Sequence, residues 1–552
     1  MSRLTTQNQA SMNNAGTSSA QLPPEEKDVD ILPLGLRIIV TVAVMMATIM
    51  EVLDTTIVNV ALPDMMGNLG ATLQQIGWVS TGYIVANVII LPLTGWLSDY
   101  FGRKRYLLYS VLFFTIASLG CGISGSLGEI IIWRILQGAG GAAFISTAQA
   151  TLMEIYPPHQ RGLAQAVYAI GVILAPTFGP VLGGYLTDRY SWPMIFFVNL
   201  PVGLAAFILI LSFVPDSAVA KARRKADFMG IVFLAIGLGC LQTLLEQGDQ
   251  YDWFSDVRIR YLGVGAVIGL ILFLWWQLNP KNESPAVNLR ILRYRNLSLS
   301  CAFAFLMGFM LYGFTFILPQ FLQTVQHFTA QQAGLILMPS GIAAAMVMPL
   351  IGQLSNKVDR RVLIGVGSLI FTGSMYMFLV LMAPQTPGSA FFWPLMFRGA
   401  GTGLQFVPLS LVALGTLPPA YMADGAGIYN LFRQLGGSFG IAFLVTMIDQ
   451  REHFHYVRLG EHLSIYGSSV QQFIMQMQYA MRLPLITPHS GSPSTSSQLL
   501  PYKMLEQLLE QQAIILTYMD VFYVILCLSV VSFSLLFFMK KDRKVIAPVS
   551  SH

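Results

Sequence analysis

Two carboxylates, Glu51 and Asp54, stand inside the stretch RIIVTVAVMMATIMEVLDTTIVNVALP (37–63), whose other residues suit hydrocarbon. A charge at the centre of a membrane-spanning helix costs about 2.5–3.5 kcal/mol even on lenient insertion scales, so both need a function or a partner. Three residues apart, they share one helical face, which must look into a protein interior or an aqueous cavity. A carboxyl group held there keeps its proton more readily than one in water and yields it when a cation approaches. Proton and cationic compound can therefore compete for one site. Two such groups one turn apart titrate as a pair rather than singly. Arg134, in a later apolar run with Gln137 and Gly138 after it, is a permanent charge that an acid has to compensate. The plainer readings are an Asp54 that bonds neighbours such as Asn59, a Glu51 at the wet mouth of a cavity, and an Arg134 that holds helices in a static salt bridge.

The elements that position these groups follow from composition. The chain has 552 residues, of which 54% are hydrophobic and 11% charged, and its mean hydropathy is +0.61. That leaves too few polar residues to coat a soluble globule, so the solvent is a bilayer. Apolar runs near 37–62, 76–98, 106–125, 128–152, 162–186 and 192–214 precede a basic linker, Lys221 to Lys225. Two more, near 228–246 and 259–279, precede a second linker, Pro280 to Asn296. Six further runs lie near 297–322, 331–353, 362–382, 389–414, 424–448 and 514–538, fourteen in all. Each has the length needed to cross about 30 Å of hydrocarbon as a helix. The expected fold is therefore an all-α polytopic membrane protein with two six-helix bundles and two inserted middle helices.

With the N-terminus in the cytoplasm, Arg103, Lys104, Arg105, Arg161, both linkers, Lys357, Arg360, Arg361 and the C-terminal KKDRK all fall inside. The short outer loops hold Arg189, Arg258 and Arg260, an asymmetry the positive-inside rule requires. The expected division is a disordered tail 1–35, a bundle 36–215, two linker spans 216–296, a second bundle 297–540 containing a long outer segment 449–513, and a tail 541–552. In that outer segment a polar loop, PHSGSPSTSS, lies between helical-looking stretches at 468–482 and 502–512.

The two bundles repeat. GWLSDYFGRKR begins at Gly95 and GQLSNKVDRR at Gly352, an offset of 352 − 95 = 257; Arg134 and Arg398 each precede a small-residue run, an offset of 398 − 134 = 264. Duplicated halves with a site between them are transporter architecture.

LDTTIVNVALP at Leu53, GWLSDYFGRKR at Gly95, RILQG at Arg134, GPVLGGYL at Gly179 and WPMIFFVNLPVG at Trp192 stand in order along the chain. This set resembles the major facilitator superfamily, more narrowly its fourteen-span, EmrB-like drug/proton antiporters, and the resemblance covers about residues 35 to 545. It implies that Asp54 carries the proton and that Arg134 takes part in its transfer. Glu51 departs from the usual amide and adds a second titrating group, whose neutralisation is expected to tune pH dependence or substrate choice. Asp54, Asn59, Gln137, Asn430 and Arg433 are expected to line the substrate cavity. Gly95, Asp99, Gly102 and Arg103 form the cytoplasmic-loop signature, in which Asp99 with Arg103 latches the halves in one state; the second copy has Asn356 where Asp99 stands. Gly179, Pro180, Gly183 and Gly184 form the antiporter signature, a small-residue face that permits close helix approach and a bend.

The resemblance also implies a proton gradient as the energy source with no cofactor, a bacterial inner membrane, and a periplasmic membrane-fusion adaptor with an outer-membrane channel as partners. The outer segment is then either an adaptor-docking surface or an interfacial pair of helices. The expected function is proton-driven export of hydrophobic and cationic toxic compounds. Its rivals are a same-fold exporter of one metabolite, such as a siderophore or fatty acid, and a non-transporting membrane sensor. Cys121, Cys240, Cys301 and Cys527 are scattered through apolar runs with no paired spacing, so no metal site or disulfide framework is suggested. The motifs GxxxxGK[ST] and HExxH are absent, and no Ser/His/Asp grouping clusters at one membrane depth, which argues against an ATP-driven pump and against an enzyme.

Overall fold

Backbone polar groups in hydrocarbon have to bond within their own segment, and the chain answers with helices. The computed structural model describes residues 32–216, 226–282, 284–383, 386–461, 463, 467–480 and 500–540, and no strand occurs among them. The basic linker 221–225, the polar loop 488–497 and the terminal tails 1–31 and 541–552 lie outside the described residues.

The first half contains α1 (Leu34–Leu69), α2 (Gln74–Phe101), α3 (Arg103–Ile123), α4 (Leu127–Ile155), α5 (Arg161–Arg189) and α6 (Met194–Phe213). The inserted pair is α7 (Phe228–Gln247) and α8 (Val257–Leu278). The second half contains α9 (Arg295–Thr324), α10 (Ala330–Leu354), α11 (Arg360–Leu381), α12 (Phe392–Gly415), α13 (Met422–Glu461), a short α14 (Ser468–Ala480) and α15 (Leu500–Leu535). Local chemistry sets many of the ends. Ser126, Asp227, Asp256 and Asp359 accept a first-turn N–H at the starts of α4, α7, α8 and α11, and Thr329 with Gln332 forms a capping box on α10. Gly70 closes α1 in the left-handed region at φ 60°, and Gly102 turns the chain between α2 and α3 at φ 84°. Both are conformations that a side chain would resist.

Twelve helices among the described residues are long and apolar enough to cross a membrane, or thirteen when α5, bent by 42° between Pro176 and Phe178, counts as one span. The sequence expectation of fourteen is reached only by adding α12. That helix has membrane length at 24 residues, but Arg398, Gln405 and its glycines dilute its hydropathy. Burial against α10 and α11 makes up for the missing lipid affinity.

Within the first half α1 packs on α5 and α6, and α4 on α2 and α3; within the second, α9 packs on α13, and α12 on α10 and α11. The halves meet where α5 lies along α10 and where α13 crosses α2 and α4. The inserted α7 is fastened to both. Gln247 donates to Thr81 on α2 at 2.9 Å, and Gln242 donates to Ser438 on α13 at 2.7 Å.

The two repeated glycines sit at matching inter-half contacts, on the face of the bundle where α1 begins. A Cβ on Gly95 would collide with Asp424 at the start of α13, and one on Gly162 at the start of α5 would collide with the Gly352 carbonyl. Around them Asn356 donates to the His159 carbonyl at 2.6 Å, Ser410 to Gln165 at 3.2 Å and Asn430 to Gln149 at 2.8 Å. The structure is thus closed on this face.

Candidate functional site

The 36-residue α1 carries Glu51 and Asp54 on its buried side, 3% and 0% exposed. Asp54 accepts three bonds from three directions. Arg134 Nη1 on α4 lies at 2.5 Å, Gln137 Nε2 one turn further on the same helix at 2.9 Å, and Asn199 Nδ2 on α6 at 2.8 Å. Gln137 also donates to Ser118 on α3 at 2.7 Å and accepts from Arg134 at 2.6 Å, while Arg134 Nε donates to the Val79 carbonyl at 3.0 Å. The Arg134 guanidinium lies over the Tyr83 ring, 4.2 Å from its centre. Five helices of one half thus enclose a charge-assisted network, and the spacing of Arg134 and Gln137 is what lets both side chains of α4 reach the same carboxylate.

This network is occluded inside the first half. What it can do chemically is hold or release one proton at the Asp54 carboxyl, because a neutral carboxyl cannot keep the Arg134 ion pair and three acceptor bonds at once. Any exchange must then rearrange Arg134, Gln137 and Asn199 together. Among the described residues no group of three or more His, Cys, Asp or Glu side chains is arranged to hold a metal ion.

Glu51 lies apart from that network. Its Oε1 accepts from Asn87 of α2 at 2.9 Å, and its Oε2 is buried with no hydrogen-bond partner among the described residues. Of the residues expected to line a cavity, Asn59 is exposed and bonds Ser80 at 3.0 Å, whereas Asp54 and Gln137 belong to the enclosed network. Asn430 reaches Gln149 across the seam, and Arg433 is 2% exposed beside the Phe406 ring, 5.1 Å from its centre.

In the loop signature, Gly102 makes the turn and Arg103 pairs with Glu154 at the end of α4, inside the first half. Asp99 is half-buried and close enough for Arg103 to feel its charge. The contact that this loop makes across the seam runs through Gly95 and Asp424. Its repeat partner makes one through Asn356, the residue standing where Asp99 stands in the first copy.

In the antiporter signature a Cβ on Gly179 would strike Thr56, and one on Gly183 would come within 2.8 Å of the Ile57 carbonyl, whereas one on Gly184 would meet only Val60 at 3.9 Å. The first two glycines therefore let α5 touch α1 one turn beyond Asp54. Pro180 is inside the helix, next to its bend. Two further embedded charges, Asp520 and Arg398, find side-chain partners, although the Arg398 Nε has none among the described residues. Asp520 accepts from Arg451 at 2.6 Å and lies 2.8 Å from His455, and Arg398 donates to Ser340 at 2.9 Å and Thr315 at 3.1 Å.

Asn199, Ser118, Asn87, Gln149 and Gln165 were not expected from sequence. Asn199 had a signal, being the polar residue of the VNLP turn in the fifth motif. The others are single amides or hydroxyls in apolar runs, with nothing local to distinguish them.

The family model of the Major Facilitator Superfamily matches residues 44–441. The chain is 36% identical over 441 residues to the multidrug export protein EmrB of Escherichia coli (strain K12), which covers 80% of this chain and 86% of that protein. It is also 36% identical over 434 residues to the fatty acid resistance protein FarB of Neisseria gonorrhoeae, covering 78% and 85%. Among solved structures the proton:xylose symporter XylE matches at a TM-score of 0.54, with 16% identity over 75% of this chain and 89% of that one, a likeness of fold. With 36% of aligned residues shared with EmrB across 80% of its length, this multi-pass membrane protein belongs to the Major Facilitator Superfamily and stands among its EmrB-like transporters.

Proposed function

We propose that the chain is a proton-driven antiporter that exports hydrophobic toxic compounds, cationic ones included, by alternating access between its two halves. The observation that carries this is the network on Asp54: a buried carboxylate whose three donors come from other helices of the same half. Protonating Asp54 would remove the charge that holds Arg134 and loosen α1 against α4 and α6. The α1 face beside Asp54 is the one that Gly179 and Gly183 press against, and α5 carries Gly162 into the seam. A proton bound inside one half is in this way linked through α1 and α5 to the contact between halves, a rigid-body switch between two packings.

The charged loops support placing the closed face in the cytoplasm of a bacterial inner membrane, both termini included. The energy source is the proton gradient, without a cofactor. Beyond the bundle, α13 continues to Glu461 and α15 starts at Leu500, which with α14 supports an outer platform for a membrane-fusion adaptor leading to an outer-membrane channel. The similarity to FarB keeps export of a single acid metabolite as the alternative reading.

The test is Asp54→Asn in everted vesicles with an acidified lumen and an ethidium-like dye added outside. Proton-driven dye transport is expected to drop at least tenfold while the protein inserts normally. Undiminished transport would remove Asp54 from the coupling step and with it this reading.

A further inference from the structure

A buried hydroxyl on a helix commonly bonds the carbonyl one turn back, and Thr48, Thr402 and Thr517 do so at 2.9, 2.8 and 2.8 Å. Five hydroxyls of the first half do not. Thr94 and Ser98 on α2, Tyr106 on α3, and Thr147 and Thr151 on α4 are at most 7% exposed, and none of their oxygens has a hydrogen-bond partner among the described residues. Leaving one such group dry is costly, so five in one region need an explanation.

Their places follow from the helix contacts. Gly140 of α4 rests against the Ser110 carbonyl of α3, and nearer the closed face Arg103 of α3 pairs with Glu154 of α4, so the two helices run antiparallel. Thr147 and Thr151 stand two and three turns after Gly140 on the same side of α4, which puts them between those two contacts, opposite Tyr106. The Tyr106 hydroxyl is close to Thr94, and Ser98 follows Thr94 by one turn toward the closed face. At the deep end Tyr106 is near enough to Glu51 to feel its charge, and Glu51 is one turn from Asp54 on the side where α1 begins. At the other end the Glu154 side chain is 28% exposed. The hydroxyls thus lead from Glu51 to the surface between α2, α3 and α4, inside the first half and away from the seam.

Buried hydroxyls within reach of one another are what internal water bonds to, and hydroxyls alternating with water can hand a proton along a file. We propose that this file is the exit route of the transported proton. A proton leaving Asp54 passes by Glu51 to water held by Tyr106, Thr94, Ser98, Thr147 and Thr151, and enters the cytoplasm at Glu154. Each hydroxyl gives up one proton as it receives one, so none of them is left charged. The route rests on reading the chain as a proton-driven antiporter, and it adds that the proton leaves through the first half while the seam stays closed. The bonds of Arg134, Gln137 and Asn199 to Asp54 guard its deep end, so the file is no open leak.

Two measurements on the full chain in nanodiscs test it. The first is footprinting with hydroxyl radicals generated by X-rays from water inside the protein, which label side chains that touch bound water. Tyr106, 7% exposed, is expected to be labelled at least fivefold faster than Phe309, 9% exposed in the apolar core of the second half. Equal rates would mean a dry file and overturn the proposal. The second is proton release on adding an ethidium-like dye, followed with a pH indicator. In the combined Tyr106→Phe, Thr147→Val and Thr151→Val variant, the rate of release is expected to fall at least tenfold with little change in the number of protons released. A folded variant that releases protons at the wild-type rate overturns the route, and so does an equal loss of rate and number, which marks a structural role. Footprinting needs neither dye nor gradient, so it decides the matter even if the variant does not fold, and it separates failure of this route from failure of the antiporter reading.

Discussion

Asp54 and Glu51 are one turn apart on one helix, and their neighbours separate them. Asp54 is given three donors inside the first half, whereas Glu51 is given one amide and looks toward the seam. That contrast suits a proton held at Asp54 and a tuning role for Glu51. Outside the membrane, Asp227 shows how one carboxylate ties elements together. It caps α7 and accepts from Trp276 at 2.7 Å, Gln277 at 3.0 Å, Asn282 at 2.9 Å and the Ala286 N–H at 3.2 Å, gathering both ends of the inserted pair. Burial alone would push its carboxyl up, but the bonds from Asn282, Gly230, Trp276 and Ala286 hold it below the usual carboxylate range. A group with a lowered native pKa stabilises the fold above its unfolded value and loses that contribution as pH falls through the native one. Asp227→Asn should therefore cost about 1–2 kcal/mol at pH 7, read as a lower unfolding midpoint, and the gap to wild type should close below about pH 4. A gap that stays constant down to acid pH would show that the charge is irrelevant there.

At the scale of the element, α5 touches both the α1 helix that carries Asp54 and the seam. Its Gly179 and Gly183 abut Thr56 and Ile57 on α1, while its Gly162 abuts Gly352 on α10. Gly183→Leu should force α5 away from α1 at a cost of about 1–3 kcal/mol, whereas Gly184→Leu, whose nearest neighbour is Val60 at 3.9 Å, should be nearly neutral. Unfolding midpoints of the two variants measured side by side check this, and equal losses would refute the packing account. The small-residue motif by itself could not make that distinction, since its glycines look alike in sequence and differ only in what faces them. Helix α12 shows the converse. Counting hydropathy undervalues it because its polar residues are bonded inside the protein rather than offered to lipid.

At the scale of the whole molecule, closure depends on a small set of contacts around Gly95 and Gly352. Gly352→Val should keep the halves apart on that face, since backbone carbonyls cannot make way for the added atoms. Cysteines placed at Gln165 and Ser410, whose side chains now meet at 3.2 Å, report the state. Their cross-linking yield is expected to fall by at least half in the Gly352→Val background; an unchanged yield would mean that the glycine contact does not govern closure.

Hydropathy runs and basic loops are local properties, and they were enough to give the helices, the two repeated halves and the inserted pair, and to single out Asp54 and Arg134 as charges in need of partners. A charge in an apolar run is visible wherever it stands, because its cost does not depend on knowing its neighbours. The tertiary structure alone decided who answers each charge. Asn199 comes to Asp54 from 145 residues away and Asn430 to Gln149 from 281, and the Arg103 loop pairs with Glu154. Such partners are single polar residues brought together by helix packing, whose registers depend on how side chains of distant segments interdigitate. No local pattern encodes that, and for the same reason the unpartnered Nε and Nη1 of Arg433 become apparent only once its described neighbours are in place.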